Sequence, residues 1–175
     1  MKTCLKNLKE QFPNHKINIV FGCGGNRDQD KRVKMGRIAD IFSDQIYLTD
    51  DNPRLELPSK IRKDIKKGIR KQKILEFPNR AEAISEAISQ LNTGEILLVA
   101  GKGHETVQEI GVKKVFFSDK KNILSAIKKK NLSLSDNLKV NIISGKRKNT
   151  PINLPKNLWI NSHQKIILNS SKVME

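Results

Sequence analysis

The chain has 175 residues, 37% of them hydrophobic. That length suits one domain with a core and at most an appendage, and no apolar run approaches the roughly 20 residues a membrane helix needs, so no membrane insertion is expected. The net charge of +16 invites a polyanion partner, yet only 5% of residues are aromatic, too few for a base-stacking platform, so no specific nucleic acid is expected.

The first predicted element is a helix over residues 3–12, with Leu5, Leu8 and Phe12 on one face. Its sequence, MKTCLKNLKEQF, lacks the apolar block of a signal peptide. The two cysteines, Cys4 and Cys23, show no C-x-x-C spacing, which argues against a zinc site or a disulfide framework and for a reducing, cytoplasmic location. INIVF (17–21) reads as the first strand and is followed by the loop GCGGNRD. A helix over 33–43 carries Met35, Ile38, Ile41 and Phe42, and QIYLT (45–49) is the second strand, ending in DDNPRLE. IRKDIKKGIRKQK (61–73) sets Ile61, Ile65 and Ile69 at i, i+4, i+8, the buried stripe of a helix with solvated basic faces. KILEF (73–77) is the third strand.

Residues 79–92 form the clearest helix, with Ile84, Ala87, Ile88 and Leu91 on one face and Asn79 followed by Glu82 as a capping arrangement. EILLVA (95–100) is the fourth strand, followed by GKGHE. VQEIG and KKVFF flank Gly111 as a hairpin, and NILSAIKKK closes with a helix. From 131 onward the periodicity dissolves into an Asn-, Ser- and Lys-rich stretch, predicted to be a weakly ordered extension with one strand at 138–143 and Trp159 as a packing residue. Residues 129–175 also hold nine Lys/Arg against two acids. Short strands alternating with helices predict a three-layer α/β domain with a largely parallel sheet over residues 1–130, and an extension over 131–175.

In such sheets ligands bind outside the carboxyl ends of the strands. Three loops leave that edge: those after the first, second and fourth strands. Gly22, Gly24 and Gly25 resemble part of a dinucleotide fingerprint, but Arg27 stands where its third glycine would be. Glycines there let the backbone approach a ligand or a neighbouring loop. AGKGHET is neither a phosphate-binding P-loop, which needs a glycine at position 96, nor a zincin helix, which needs a histidine where Gln108 stands. His104 alone reads equally as a structural donor or a functional group. Asp50 and Asp51 can cap a helix or hold a guanidinium. Asn52 before Pro53 is pushed to an extended conformation, and Pro53 sets the direction in which Arg54 is presented. Arg27 and Arg54 would bind carboxylates, and Glu105 an ammonium group. That constellation suits an amino acid better than a nucleotide.

VFGCGGNRDQDKR, LTDDNPRLELP and LLVAGKGHETVQ together resemble, in order and spacing, the C-terminal domain of the Mur ligases, in particular the MurE type that adds 2,6-diaminopimelate. The resemblance covers about residues 1–130. It implies a Rossmann-like fold and an ATP-dependent amide ligase of peptidoglycan synthesis: ATP phosphorylates the terminal carboxylate of UDP-MurNAc-L-Ala-D-Glu, and the amine of meso-diaminopimelate attacks the acyl phosphate. By the same resemblance, Asp51, Asn52, Pro53 and Arg54 match the D-N-P-R motif associated with meso-diaminopimelate, and Arg27, Gly101 and Glu105 line the same pocket. No residue is expected to be catalytic or to bind metal. Asn26 replaces the family's usual Asp and Val33 its usual Pro. The family's ATP-binding central domain and UDP-binding domain have no counterpart here, so ATP and Mg belong to the full-length enzyme, and the fragment alone is expected to be inactive. A basic nucleic-acid-binding module and a Rossmann-type nucleotide binder are the alternatives.

Overall fold

A computed structural model of the chain describes residues 1–70, 74–135 and 165–169. Five strands form one fully parallel sheet in the order β3-β2-β1-β4-β7: β1 (Lys16–Phe21), β2 (Gln45–Thr49), β3 (Ile74–Phe77), β4 (Glu95–Ala100) and β7 (Lys165–Asn169). The helices are α1 (Lys2–Gln11), α2 (Asp30–Phe42), α3 (Pro58–Lys66), α4 (Arg80–Ser89) and α5 (Asp119–Ser135). The expected α/β fold with a parallel sheet is what the chain adopts.

Its layers follow from the pleat, which sends successive side chains to opposite faces. Ile17, Ile19 and Phe21 of β1, Ile46 and Leu48 of β2, and Ile96 and Leu98 of β4 pack with Leu5, Leu8, Ile61 and Ile65 from α1 and α3. Val20, Tyr47, Leu97 and Val99 point the other way, onto Ala83, Ile84, Ala87 and Ile88 of α4 and Ile123 and Ala126 of α5. Both faces of the central strands are therefore covered, and the strands read as continuous apolar runs for that reason.

Most elements lie where the periodicity predicts them, with three differences. The helix predicted over 61–73 starts earlier, with Pro58 in its first turn, where a missing N–H costs nothing. It ends at Lys66, just before Gly68, a poor helix former. Ile69 thus lies beyond α3, although it still packs against the first core. Second, β7 adds to the free side of β4, with Ile96–Ala100 in register with Lys165–Asn169. No strand is predicted there from the sequence; the strand predicted at 138–143, like Trp159, lies outside the described residues. Third, α5 runs on through Ser135.

The hairpin is formed by β5 (Val107–Ile110) and β6 (Lys113–Phe116), antiparallel, with Gly111 at φ +59° in the turn. It stands apart from the main sheet, at the end of the loop that follows β4. The Asn79 cap is also present: its side-chain oxygen accepts from the N–H of Ala81 at 2.9 Å and of Glu82 at 3.4 Å.

Candidate functional site

The loops after β1, β2 and β4 meet at the carboxyl edge of the sheet. The first two interlock through glycine: a Cβ on Gly22 would come within 2.2 Å of the Thr49 carbonyl oxygen, and one on Gly25 within 1.9 Å of the Pro53 carbonyl oxygen. No other residue allows that approach. The Gly25 N–H donates to the Asn52 carbonyl at 2.8 Å, so the two loops share a backbone hydrogen bond. Here the glycines serve contact between loops.

Arg54 takes a left-handed backbone conformation, φ 51°, which costs a non-glycine residue about 1–2 kcal/mol. The hairpin holds it there. Its N–H donates to the Glu109 carbonyl at 3.0 Å, and its own carbonyl accepts from Gly111 at 2.7 Å. Its guanidinium pairs with Glu109 through Nε at 2.7 Å and donates from Nη1 to the Gly25 carbonyl at 2.8 Å. The direction of Arg54 is therefore set by β5 as much as by Pro53. Beside it, Asn26, Leu55, Glu109 and the hairpin turn enclose a cleft of about 300 Å³.

Asn52 is buried at the centre of the edge. Its Oδ1 accepts from Lys102 Nζ at 2.6 Å and from the Glu109 N–H at 3.1 Å, while its Nδ2 donates to Glu105 Oε2 at 3.1 Å. Lys102, whose side chain is fully enclosed, also lies 3.5 Å from Asp51 Oδ1 and from Glu105 Oε2. Burial pushes the Asp51 carboxyl above its ordinary value, against the pull of Arg80 and Lys102. Gly101 (φ +122°) lies against Asp51. A Cβ there would sit 3.1 Å from Asp51 Oδ2 and 3.5 Å from Arg80 Nη2.

Of the residues singled out from sequence, Asp51, Asn52, Pro53, Arg54, Gly101 and Glu105 are brought to this one edge. Arg27 is near but different. It is exposed and makes no hydrogen bond or ion pair among the described residues; it and Arg54 straddle Gly24, whose Cβ would lie 3.6 Å from Arg27 Cγ and 3.0 Å from Arg54 Nη1. His104 is exposed and likewise unbonded among the described residues. Asp50 holds a guanidinium, that of Arg62, which also donates from Nε to Glu76 at 2.7 Å.

Sequence reasoning missed the ionic frame beneath the loops. Arg80, at the start of α4, donates through Nε and Nη2 to Asp119 at 2.8 and 2.7 Å and through Nη2 to the Ala100 carbonyl at 2.9 Å, and both side chains of the pair are fully buried. Arg32 of α2, 1% exposed, joins Glu56 at 2.8 Å and Asp64 at 3.3 Å. These partners are 24 to 39 residues apart, and no local signal links them. Lys102 did carry a signal, as the lysine of GKGHE.

Taken as chemistry, the edge carries the guanidinium of Arg54, the exposed guanidinium of Arg27, and the carboxylates of Glu105 and Asp51. It can hold a small zwitterion by both signs of charge.

Comparisons with known proteins agree on a family. The family model described as "Mur ligase, glutamate ligase domain" matches residues 1–103. The UDP-N-acetylmuramoyl-L-alanyl-D-glutamate--2,6-diaminopimelate ligase of Buchnera aphidicola subsp. Baizongia pistaciae is 49% identical over 132 residues, which are 75% of this chain and 26% of that protein. The ligase of the same name from Rickettsia rickettsii is 51% identical over 126 residues, 72% of this chain and 26% of that one. A solved structure of a ligase bearing this name superposes with a TM-score of 0.70 at 39% identity, covering 74% of this chain and 27% of its own. The chain thus spans about a quarter of the length of the relatives it matches.

Proposed function

The chain belongs to the Mur ligase family, and from that premise we propose that it is the amino-acid-recognising domain of an ATP-dependent ligase that adds meso-diaminopimelate to UDP-MurNAc-L-Ala-D-Glu in peptidoglycan synthesis. Residues 1–130 form the recognition domain in this reading, and residues 131–175 are an extension to it. Supporting it above all is the presence, on one sheet edge, of the Arg54 guanidinium held by Glu109 and of the Glu105 carboxylate held by Asn52. Diaminopimelate has two carboxylates and two ammonium groups, whereas lysine lacks the second carboxylate. A fixed guanidinium separates the two because it gains a charged hydrogen-bond partner with one ligand only.

In this division of labour the domain selects and orients the amine, and holding it against the activated carboxylate contributes by proximity. Arg27, exposed beside Gly24, is assigned to a carboxylate of the ligand, and Glu105 with Asp51 to an ammonium group. In the whole ligase ATP, with Mg²⁺ to neutralise its charge, would supply the phosphoryl group that activates the substrate carboxylate. Among the described residues no group of three or more His, Cys, Asp or Glu could hold a metal ion by itself, and the Lys102 side chain is enclosed against Asn52. No step is therefore assigned to the nucleotide here. Among the described residues no helix is long and apolar enough to cross a membrane; a cytoplasmic location is part of the proposal.

The test is a chemical-shift titration of the chain with meso-diaminopimelate and, separately, with L-lysine. Diaminopimelate should perturb the backbone amides of Asp51, Asn52, Arg54 and residues 101–105 and bind at least about tenfold more tightly. Equal affinity, or shifts confined to other surfaces, would overturn the reading.

A further inference from the structure

We infer that Lys102 is a positioning residue for the ammonium-binding half of the site: its enclosed Nζ fixes which way the Asn52 amide faces, and through that amide it places Glu105. This rests on the proposed recognition of an amino acid at this edge.

An asparagine amide has nearly the same shape in its two flipped orientations, so its neighbours' hydrogen-bonding character decides between them. At Asn52 the neighbours are unequal. On one side stand two donors, the Lys102 ammonium at 2.6 Å and the Glu109 N–H at 3.1 Å; on the other stands an acceptor, Glu105 Oε2, at 3.1 Å. The oxygen must face the donors and the NH₂ the carboxylate. Reversal would set NH₂ against an ammonium and an oxygen against a carboxylate, losing three hydrogen bonds at once. The ammonium is the stronger of the two donors, because its charge shortens and strengthens the bond.

Lys102 also acts on Glu105 directly. Its carbonyl accepts the Glu105 N–H at 2.9 Å, and its Nζ lies 3.5 Å from Glu105 Oε2. Glu105 is half exposed, a side chain that would otherwise sample several rotamers. Tethered through Oε2, it keeps Oε1 free of hydrogen bonds among the described residues, available to a ligand ammonium. Because the Lys102 side chain is fully enclosed, it works through Asn52 and Glu105.

Pimelate isolates the ammonium half, since it keeps both carboxylates of diaminopimelate and has no ammonium groups. The unmodified chain should prefer meso-diaminopimelate over pimelate. In Lys102→Met, of similar volume and without charge, that preference should fall about tenfold or more, while pimelate affinity stays within about twofold. An unchanged preference would overturn the inference. So would a parallel loss of pimelate binding, which would mark Lys102 as merely structural. A second measurement covers a variant that fails to fold. In the unmodified chain the Asn52 side-chain NH₂ should exchange with solvent far more slowly than that of an exposed asparagine; exchange at the exposed rate would overturn the inference. If the chain bound neither diacid, the proposed function would fall instead, and the exchange rate would still decide whether the Asn52 amide is locked.

Discussion

Arg54 and Glu109 are joined twice, by an ion pair at 2.7 Å and by the hydrogen bond from the Arg54 N–H to the Glu109 carbonyl at 3.0 Å. The side-chain pair aims the guanidinium, and the backbone bond holds the left-handed conformation that makes the aim possible. An incoming carboxylate meets a fork already oriented, with Nη2 making no hydrogen bond among the described residues. Arg54→Ala should therefore abolish selection of diaminopimelate over lysine, at roughly 2–5 kcal/mol for truncating one partner of a charged hydrogen-bonded pair. The comparison is the ratio of the two kcat/KM values in a ligase carrying this domain. If the variant still separates the two amino acids, another residue is the selector.

Gly25→Ala should uncouple the first two loops. The added methyl cannot occupy a point 1.9 Å from the Pro53 carbonyl oxygen, so backbone must shift, at about 1–3 kcal/mol or more. The shift also moves the Gly25 carbonyl that accepts from Arg54. We expect a lower urea midpoint together with weakened diaminopimelate binding. Lost stability with intact binding would show that the interlock does not position Arg54.

The buried Arg80–Asp119 pair ties the start of α4 to the start of α5. Removing one partner leaves the other charged and enclosed, so Arg80→Met or Asp119→Asn should each cost about 3–5 kcal/mol. The double variant should lose less than the sum of the singles, because neither charge is then stranded. Urea unfolding of the four proteins measures the coupling, and simple additivity would contradict it.

Acid should release the clamp around Arg32. The hydrogen bond from Arg32 holds the Glu56 carboxyl below its ordinary value, and hydrogen bonds from Lys67 and Arg32 do the same for Asp64. An acid lowered in the folded state stabilises the fold above its unfolded pKa, and that contribution is lost as pH falls through the folded value. Asp50 and Asp51, raised mainly by burial, act in the opposite sense and soften the loss. Glu56→Gln should thus be less stable than the parent at pH 7, and the gap should close as the pH drops below about 4.5. A gap constant from pH 7 to 3 would assign the effect to something other than this charge.

The local periodicities in the sequence determined the helices, the central strands and the covering of both sheet faces, because burial leaves its mark at spacings of two and of three to four residues. They also determined the Asn79 cap and the Gly111 turn, where a residue's own chemistry decides its conformation. The three loop motifs were legible because β–α alternation sends every such loop to one edge, and the resemblance to the Mur ligases rested on those same loops. Tertiary structure alone decided the rest. β7 pairs across a separation of more than 60 residues from β4, and hydrogen bonding between backbones carries no side-chain signature. Glu109, Arg80, Asp119, Arg32 and Arg62 look in the sequence like any other charges of a basic chain. What makes each specific is a partner far along the chain and burial that removes competing water, and both exist only once the sheet has brought the loops together.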